Sequence, residues 1–132
     1  MVNEGGKLIY KELSYTIVGI AFAVYNELWY GFKEKHYENA VAVQFSVNGI
    51  THHRQVPYNV RMNGRVIGRY YLDFLVEDKV IVELKKGRYF APQNINQVKQ
   101  YLAATGLQLA ILVNFTPDGV RFFRVLNPNN QL

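Results

Sequence analysis

Cysteine is absent from the 132-residue sequence, which excludes a disulfide framework and any thiolate metal site. Long hydrophobic runs are missing too, since the longest nearly apolar stretch, Ile17 to Tyr25, is far below the roughly 20 residues that span a bilayer. Acidic residues are scarcer than basic ones, 10 against 15, so the formal net charge is +5. A mild positive charge favours polyanionic partners, although an ordinary basic protein explains it equally simply. We therefore expect a soluble cytoplasmic protein with no membrane contact.

Apolar and aromatic residues are plentiful. They make up 49% of the sequence, and 10 Tyr and 8 Phe supply much of the apolar area of a core. No internal repeat, low-complexity tract or linker divides the chain. A length of 132 residues suits one domain. We therefore predict a single domain over residues 1–132, with its core at about 11–126.

The first part of the chain has the periodicity of helices. One apolar face recurs at three- and four-residue steps and consists of Leu13, Ile17, Ile20, Val24 and Leu28. After Gly31 a second helix is predicted from about Phe32 to Val47, and Asn48-Gly49 ends it. The buried stripe predicted for this second helix is Glu34, Tyr37, Glu38, Val41 and Phe45.

Strands follow these helices. The first is predicted over His52 to Met62, and Asn63-Gly64 is a strong two-residue hairpin signal. The return strand covers Arg65 to Val76, Glu77-Asp78 makes a second tight turn, and a third strand covers Lys79 to Lys85. The three strands therefore form an antiparallel meander.

The last part of the chain alternates helix and strand. Pro92 opens a helix from about Gln93 to Ala104, and Gly106 stops it. The continuous apolar run Leu107 to Asn114 indicates a buried strand, and Val120 to Leu126 forms the final one. The predicted order is α-α-β-β-β-α-β-β, which is an α/β (α+β) layer with helices covering the sheet.

Two carboxylates stand in strands that are otherwise apolar. Asp73 interrupts the return strand and Glu83 interrupts the third strand, where a bare buried charge costs several kcal/mol. Alternation along a strand sets Glu83 and Lys85 on one face. A two-residue turn pairs Glu83 with Leu72, whereas a shift of one residue pairs it with Asp73, and the sequence leaves both registers open.

The chemistry of this pair has two explanations. Close carboxylates repel each other, and a divalent cation removes the conflict; oxygen donors without Cys or His suit Mg²⁺ or Mn²⁺. Alternatively, Lys85 forms a structural ion pair with either acid. The residues alone favour neither explanation.

A family resemblance narrows this choice. One resemblance is to the core motif of the PD-(D/E)XK nuclease superfamily. It is carried by Asp73, Glu83 and Lys85, separated by nine residues and by one residue, and Leu72 stands where that motif has proline. The stretch 31–37, Gly-Phe-Lys-Glu-Lys-His-Tyr, resembles the motif that names the GxxExxY protein family. Gln97 to Tyr101 resembles the Q-x-x-x-Y element of RecB-type nucleases in the same superfamily.

The resemblance implies a restriction-endonuclease-like fold, a central mixed sheet flanked by helices. It also implies a nuclease that hydrolyses phosphodiester bonds, in DNA rather than RNA, with Mg²⁺ or Mn²⁺. Glu34 would be an outer metal ligand, Asp73 and Glu83 the main ligands, and Lys85 the residue that orients or activates the attacking water. A non-catalytic module that keeps the fold and binds nucleic acid or a protein is the alternative.

The resemblance further implies that Gln97 and Tyr101, four residues apart on one helix face, support the site or contact phosphates. Glu38, one turn after Glu34, is a less favoured alternative ligand.

Other residues are assigned from their own chemistry. Lys86 and Arg88 directly follow the third strand and are candidate nucleic-acid contacts, with a solvated loop as the equal alternative. The first hairpin offers a basic stripe, of which alternation lets only a subset act together: Arg54, Arg61, Arg65 and Arg69. His52-His53 are predicted to point to opposite faces, and Trp29-Tyr30 to lie in the core, with a homodimer contact as the alternative.

Overall fold

The helices and strands follow one another in the predicted order. The computed structural model describes residues 9–89 and 91–130. Its elements are α1 (Lys11–Leu28), α2 (Glu34–Val47), β1 (His52–Met62), β2 (Arg65–Val76), β3 (Val80–Lys86), α3 (Pro92–Thr105), β4 (Leu109–Thr116), β5 (Gly119–Leu126) and a short 3-10 helix (Pro128–Asn130). In this described part of the chain, no helix combines the length and hydropathy needed to cross a membrane.

The five strands form one mixed sheet in the spatial order β1-β2-β3-β4-β5. The pairs β1–β2, β2–β3 and β4–β5 are antiparallel, and β3–β4 is parallel. A parallel pair requires a crossover, which α3 supplies between β3 and β4. The predicted mixed sheet flanked by helices is therefore confirmed.

Helices cover both faces of the sheet. One face packs against α1 and α2 in a cluster that includes Ile17, Val24, Phe45 and Val82. The other face packs against α3 in a smaller cluster around Leu102 and Leu112. Because both faces are covered, all eight residues of β4 are buried, as its continuous apolar run predicts.

Several boundaries differ from the prediction. The second helix begins at Glu34 rather than at Phe32, and Glu34 is exposed, so its place in the buried stripe is wrong. Glu34 is in the first turn of α2, which lies at the end of β3 rather than over the core. There the Lys86 N–H donates a hydrogen bond to Glu34 Oε1. Trp29 is 64% exposed, so its predicted place in the core is also wrong.

The β2–β3 connection has a register that a two-residue turn does not produce. Val76 pairs with Val80 and Phe74 with Val82, so three residues separate the strands. Glu77 and Asp78 both adopt left-handed conformations in this connection. The pairing of Glu83 with Leu72 is therefore wrong, and the one-residue shift that sets Glu83 opposite Asp73 is observed.

Candidate active site

Two carboxylates lie where β2 and β3 separate. The ladder between these strands ends at the pair Phe74–Val82, while β2 continues beside β1. At the next position the Asp73 N–H donates to Glu83 Oε1 at 2.7 Å, and the Leu84 N–H donates to Asp73 Oδ2 at 2.8 Å. The side chains thus accept the backbone donors that the separating strands leave without partners.

Both strands of the β1–β2 hairpin change face at this point. On β1, His52 packs with the α1–α2 cluster and Val56 with the α3 cluster, although even-numbered residues should share a face. On β2, Phe74 and Leu72 differ in the same way. Between them, Gln55 has a φ of 49°, an unfavourable conformation for a residue with a Cβ. The outer half of the hairpin is therefore rotated relative to the rest of the sheet.

Burial and the charges of neighbouring carboxylates raise the pKa of both acids. Burial raises the pKa of Asp73 to about 6, with further upward contributions from the charges of Glu38 and Glu34. Burial raises the pKa of Glu83 to about 8, and the charge of Asp73 is the next contribution. The backbone hydrogen bonds and Lys85 oppose both shifts without cancelling them. The pair therefore resists carrying two negative charges at neutral pH.

The third predicted carboxylate reaches the same region from α2. Glu34 Oε1 accepts a hydrogen bond of 3.1 Å from the Lys86 N–H, which joins the start of α2 to the end of β3. Lys85 is half-buried on β3 beside Asn114 of β4. Among the described residues, Lys85 makes no direct ion pair with either acid. The structural ion pair considered from the sequence is therefore not formed.

Glu38 is committed to neighbouring side chains. It accepts hydrogen bonds from Arg54 Nη2 at 2.8 Å and from Gln55 Nε2 at 3.1 Å. Burial would raise the pKa of Glu38, but the bonds from Arg54 and Gln55 and the charge of Lys35 outweigh it, so the pKa is lowered. Glu38 is thus a charged carboxylate whose charged partners are the side chains of Arg54 and Lys35.

Gln55 is a site residue that the sequence did not reveal. Its Nε2 lies 3.1 Å from Glu38 Oε1 and 3.5 Å from Asp73 Oδ1, so one amide links the two acids. Its left-handed φ is what turns the side chain towards them. No sequence signal marks this position, because a glutamine in a strand ordinarily indicates a solvated face.

The two residues of the helical Q-x-x-x-Y element have different environments. Tyr101 is 2% exposed, and its ring contacts Tyr58 and Tyr70 at centroid distances of 5.6 and 5.4 Å. Burial raises the pKa of Tyr101, as does the charge of Glu83, so the phenol stays protonated near the carboxylates. Gln97 is half-buried, and its side chain makes no hydrogen bond within residues 9–89 and 91–130.

The two predicted basic contacts diverge. Lys86 Nζ lies over the Tyr30 ring, 5.1 Å from its centroid. Arg88 is exposed and its Nη1 is 3.8 Å from Asp118 Oδ2. The structure therefore does not gather Lys86 and Arg88 into one patch.

The adjacent histidines also have separate environments, as alternation predicts. His52 packs on Phe74, and His53 Nε2 lies 3.6 Å from Asp78 Oδ1.

A divalent cation fits the donors of Asp73 and Glu83. They are hard carboxylate oxygens, and their repulsion is the kind that a cation relieves. Within the described ranges, no three His, Asp or Glu side chains already form a metal-holding cluster. Glu34 and Glu38 instead make the hydrogen bonds described above. The fit of a divalent cation to this site therefore rests on Asp73 and Glu83.

The chain is similar to two solved structures. The crystal structure of SSO0001 is similar with a TM-score of 0.54 and 19% identity, over 90% of this chain and 58% of that one. The chain therefore spans less than two thirds of that relative, and the likeness concerns the fold alone. An alkaline exonuclease (LHK-Exo) from Laribacter hongkongensis gives a TM-score of 0.47 and 13% identity, over 88% of this chain and 83% of that one. No curated protein matches the chain.

A family model is the stronger comparison, because the two solved structures are only 19% and 13% identical to this chain. The family model of the PD-(D/E)XK nuclease superfamily matches residues 11–124. This range contains Asp73, Glu83 and Lys85, the three residues whose spacing carries the resemblance, on the mixed sheet that the structure shows. The chain belongs to the PD-(D/E)XK nuclease superfamily.

Proposed function

We propose that the protein is a metal-dependent nuclease that hydrolyses phosphodiester bonds, in DNA rather than RNA. The observation that carries this proposal is the pair of a half-buried Asp73 and a buried Glu83, linked where β2 and β3 separate and with raised pKa values. Nuclease chemistry is the property of the superfamily to which the chain belongs. The stretch 31–37 and the element 97–101 further support the GxxExxY family, with a RecB-type ending, as its place within that superfamily.

Each residue then has a role. Asp73 and Glu83 would hold Mg²⁺ or Mn²⁺, with Glu34 as an outer ligand. The bound cation would lower the pKa of a water molecule and neutralise charge on the phosphate. Lys85, on the same strand face as Glu83 and free of an ion pair with either acid, would orient the attacking water and stabilise the developing negative charge.

Further residues would support the substrate. Tyr101 would form a rigid part of the site near Glu83, since its ring packs against the rings of Tyr58 and Tyr70. Gln97, one helical turn earlier, would face the substrate with an amide that has no partner in the described residues. Lys86 and Arg88 would contact phosphates at two separate points, because they diverge.

A non-catalytic nucleic-acid-binding module is the second candidate. The observation that favours it is that Asp73 and Glu83 already accept backbone hydrogen bonds, and that no third ligand joins them among the residues that the structure describes. Such a module would bind nucleic acid with the same fold and would leave it intact.

The deciding experiment is a cleavage assay on single- and double-stranded DNA and RNA with Mg²⁺, Mn²⁺ or EDTA. We expect metal-dependent cleavage of DNA that falls at least about a hundredfold in Asp73→Asn, which keeps the shape of the side chain. Asp78→Asn is the matched control, because Asp78 is exposed in the β2–β3 connection.

Full cleavage by Asp73→Asn, or cleavage unaffected by EDTA, would overturn the proposed mechanism. Binding of nucleic acid without any cleavage, together with no cation binding in calorimetry, would establish the non-catalytic module instead.

A further inference from the structure

One face of the outer β1–β2 hairpin is open to solvent. Tyr58 and Tyr70 are cross-strand partners, and both pack on Tyr101 of α3. Because side chains alternate, the neighbouring positions point to the opposite face. We call this the hairpin face, and its members are Pro57, Asn59, Arg69 and Tyr71.

The hairpin face exposes apolar and aromatic surface. Tyr71 is 51% exposed, although it is a large aromatic residue. Pro57 is the register partner of Tyr71 and is exposed as well. An aromatic ring beside a proline offers a flat surface on which a planar group can stack.

The same hairpin is basic throughout. The segment from His52 to Leu72 contains four arginines and no aspartate or glutamate. Arg54 is bound to Glu38, but Arg69 lies on the hairpin face, where its Nε donates to Asn59 Oδ1 at 2.9 Å. That bond orients the guanidinium, whose terminal nitrogens have no other partner in the described residues. The charge therefore favours a polyanion, while the ring favours a planar base.

The hairpin face leads directly to the carboxylates. Tyr71 lies two residues from Asp73 along β2, a distance of about 6.8 Å at roughly 3.4 Å per residue. The β1 residue opposite Asp73 in the same register is Gln55, which bonds to Asp73. A ligand lying along the pairs Asn59–Arg69 and Pro57–Tyr71 would therefore reach the candidate active site at its end.

We propose that the hairpin face binds a single-stranded segment of nucleic acid next to the phosphate at the carboxylates, with Tyr71 stacked on an unpaired base and Arg69 on a phosphate. The proposal rests on the proposed nuclease function for its direction towards Asp73. A single strand is favoured because a tyrosine ring stacks on a base only when that base is not already stacked in a duplex.

The test measures binding without catalysis. Fluorescence anisotropy of a labelled single-stranded oligonucleotide, in EDTA, compares the full chain with Tyr71→Ala and Tyr71→Phe. We expect Tyr71→Ala to weaken binding at least about fivefold and Tyr71→Phe to bind as the parent protein does, because phenylalanine keeps the stacking ring. Tyr15→Ala is the control, since Tyr15 is 83% exposed on α1. Duplex binding is expected to change less than single-strand binding.

Arg69 is tested through the salt dependence of the same binding. Arg69→Ala is expected to reduce the slope of log K against log salt by about 0.7, the loss of one phosphate contact on a single strand. Lys11→Ala, which removes one charge at the start of α1, is expected to leave the slope unchanged.

Three results would overturn the proposal. The first is unchanged single-strand binding by Tyr71→Ala, and the second is an equal loss of single-strand and duplex binding. The third is a change from dimer to monomer in sedimentation with unchanged binding, which would make the hairpin face a contact between copies of the chain. Because binding is measured in EDTA, without metal, it does not depend on catalysis. A protein that binds the single strand through Tyr71 but does not cleave it would therefore contradict the proposed nuclease function and support the proposed binding face.

Discussion

At the scale of single residues, Lys85 separates the catalytic from the structural explanation of the site. It makes no ion pair with Asp73 or Glu83 in the described residues, so its removal leaves no buried acid without a partner. We expect Lys85→Ala to keep its fold and its cation binding while cleavage falls a hundredfold or more, about 2.7–4 kcal/mol. Thermal melts with and without metal and cleavage rates measure the two effects.

Lys99→Ala is the matched control for Lys85→Ala, because Lys99 is exposed on α3. The contrary result is a variant that melts much earlier in saturating metal and whose activity follows only its folded fraction. Lys85 would then be a structural partner.

Two buried asparagines differ in their hydrogen bonding. Among the described residues, neither amide atom of Asn114 has a partner, although the side chain is buried. Asn127 is equally buried, and its Nδ2 donates to the Leu102 and Leu107 carbonyls, both at 2.8 Å. A buried polar group without a hydrogen bond lowers the free energy of unfolding by about 1–3 kcal/mol. Asn114 already carries this cost, whereas removing the Asn127 side chain would impose it on the carbonyl groups that Asn127 now satisfies.

We therefore expect Asn114→Leu to preserve or raise the free energy of unfolding and Asn127→Leu to lower it by about 1–3 kcal/mol or more. Urea denaturation of the two variants measures both changes. A large loss of stability in Asn114→Leu alone would contradict this assignment.

At the scale of elements, the separation of β2 from β3 makes stability depend on pH. The pKa is raised to about 6 for Asp73 and to about 8 for Glu83, against roughly 4 in an unfolded chain. Between these values the folded state binds more protons than the unfolded state, so the free energy of unfolding falls as pH rises from about 4 to about 8. We expect the metal-free protein to have a lower Tm at pH 8 than at pH 5.

Glu83→Gln is expected to flatten this pH dependence, because the amide still accepts the Asp73 N–H but carries no charge. Glu27→Gln, on exposed α1 surface, is expected to leave the slope as it is. If the Tm of the parent protein is the same at both pH values, the pKa values of Asp73 and Glu83 are not raised in the folded state, and the prediction is wrong.

At the scale of the whole molecule, cation binding should stabilise the fold. The two acids come from neighbouring strands and meet only when the sheet has formed, so a cation that they hold binds the native state selectively. At a hundred times its Kd, Mg²⁺ or Mn²⁺ is expected to add about 2.7 kcal/mol to the free energy of unfolding, seen as a higher Tm.

Asp73→Ala is expected to abolish this rise, and Asp78→Ala to retain it. If calorimetry at millimolar metal detects no site-specific binding to the parent protein, the catalytic proposal fails.

The sequence by itself determined the elements and the superfamily. Hydrophobic periodicity and the Asn63-Gly64 signal gave β1 the bounds His52–Met62 and β2 the bounds Arg65–Val76, as observed. These features are local, since a turn and a period of two require only neighbouring residues. The anomaly of Asp73 and Glu83 in apolar strands was equally visible, because a buried charge contradicts the pattern around it.

The tertiary structure decided how the site is assembled. The three-residue β2–β3 connection aligned Asp73 with Glu83, and the left-handed Gln55 rotated the outer hairpin. The sequence could not settle either point, because a shift of one residue preserves the composition of a strand and reverses its faces. The exposure of Glu34 likewise depends on where α2 meets β3, a contact between residues 52 positions apart. Periodicity describes one element at a time, and the candidate active site is made where elements meet.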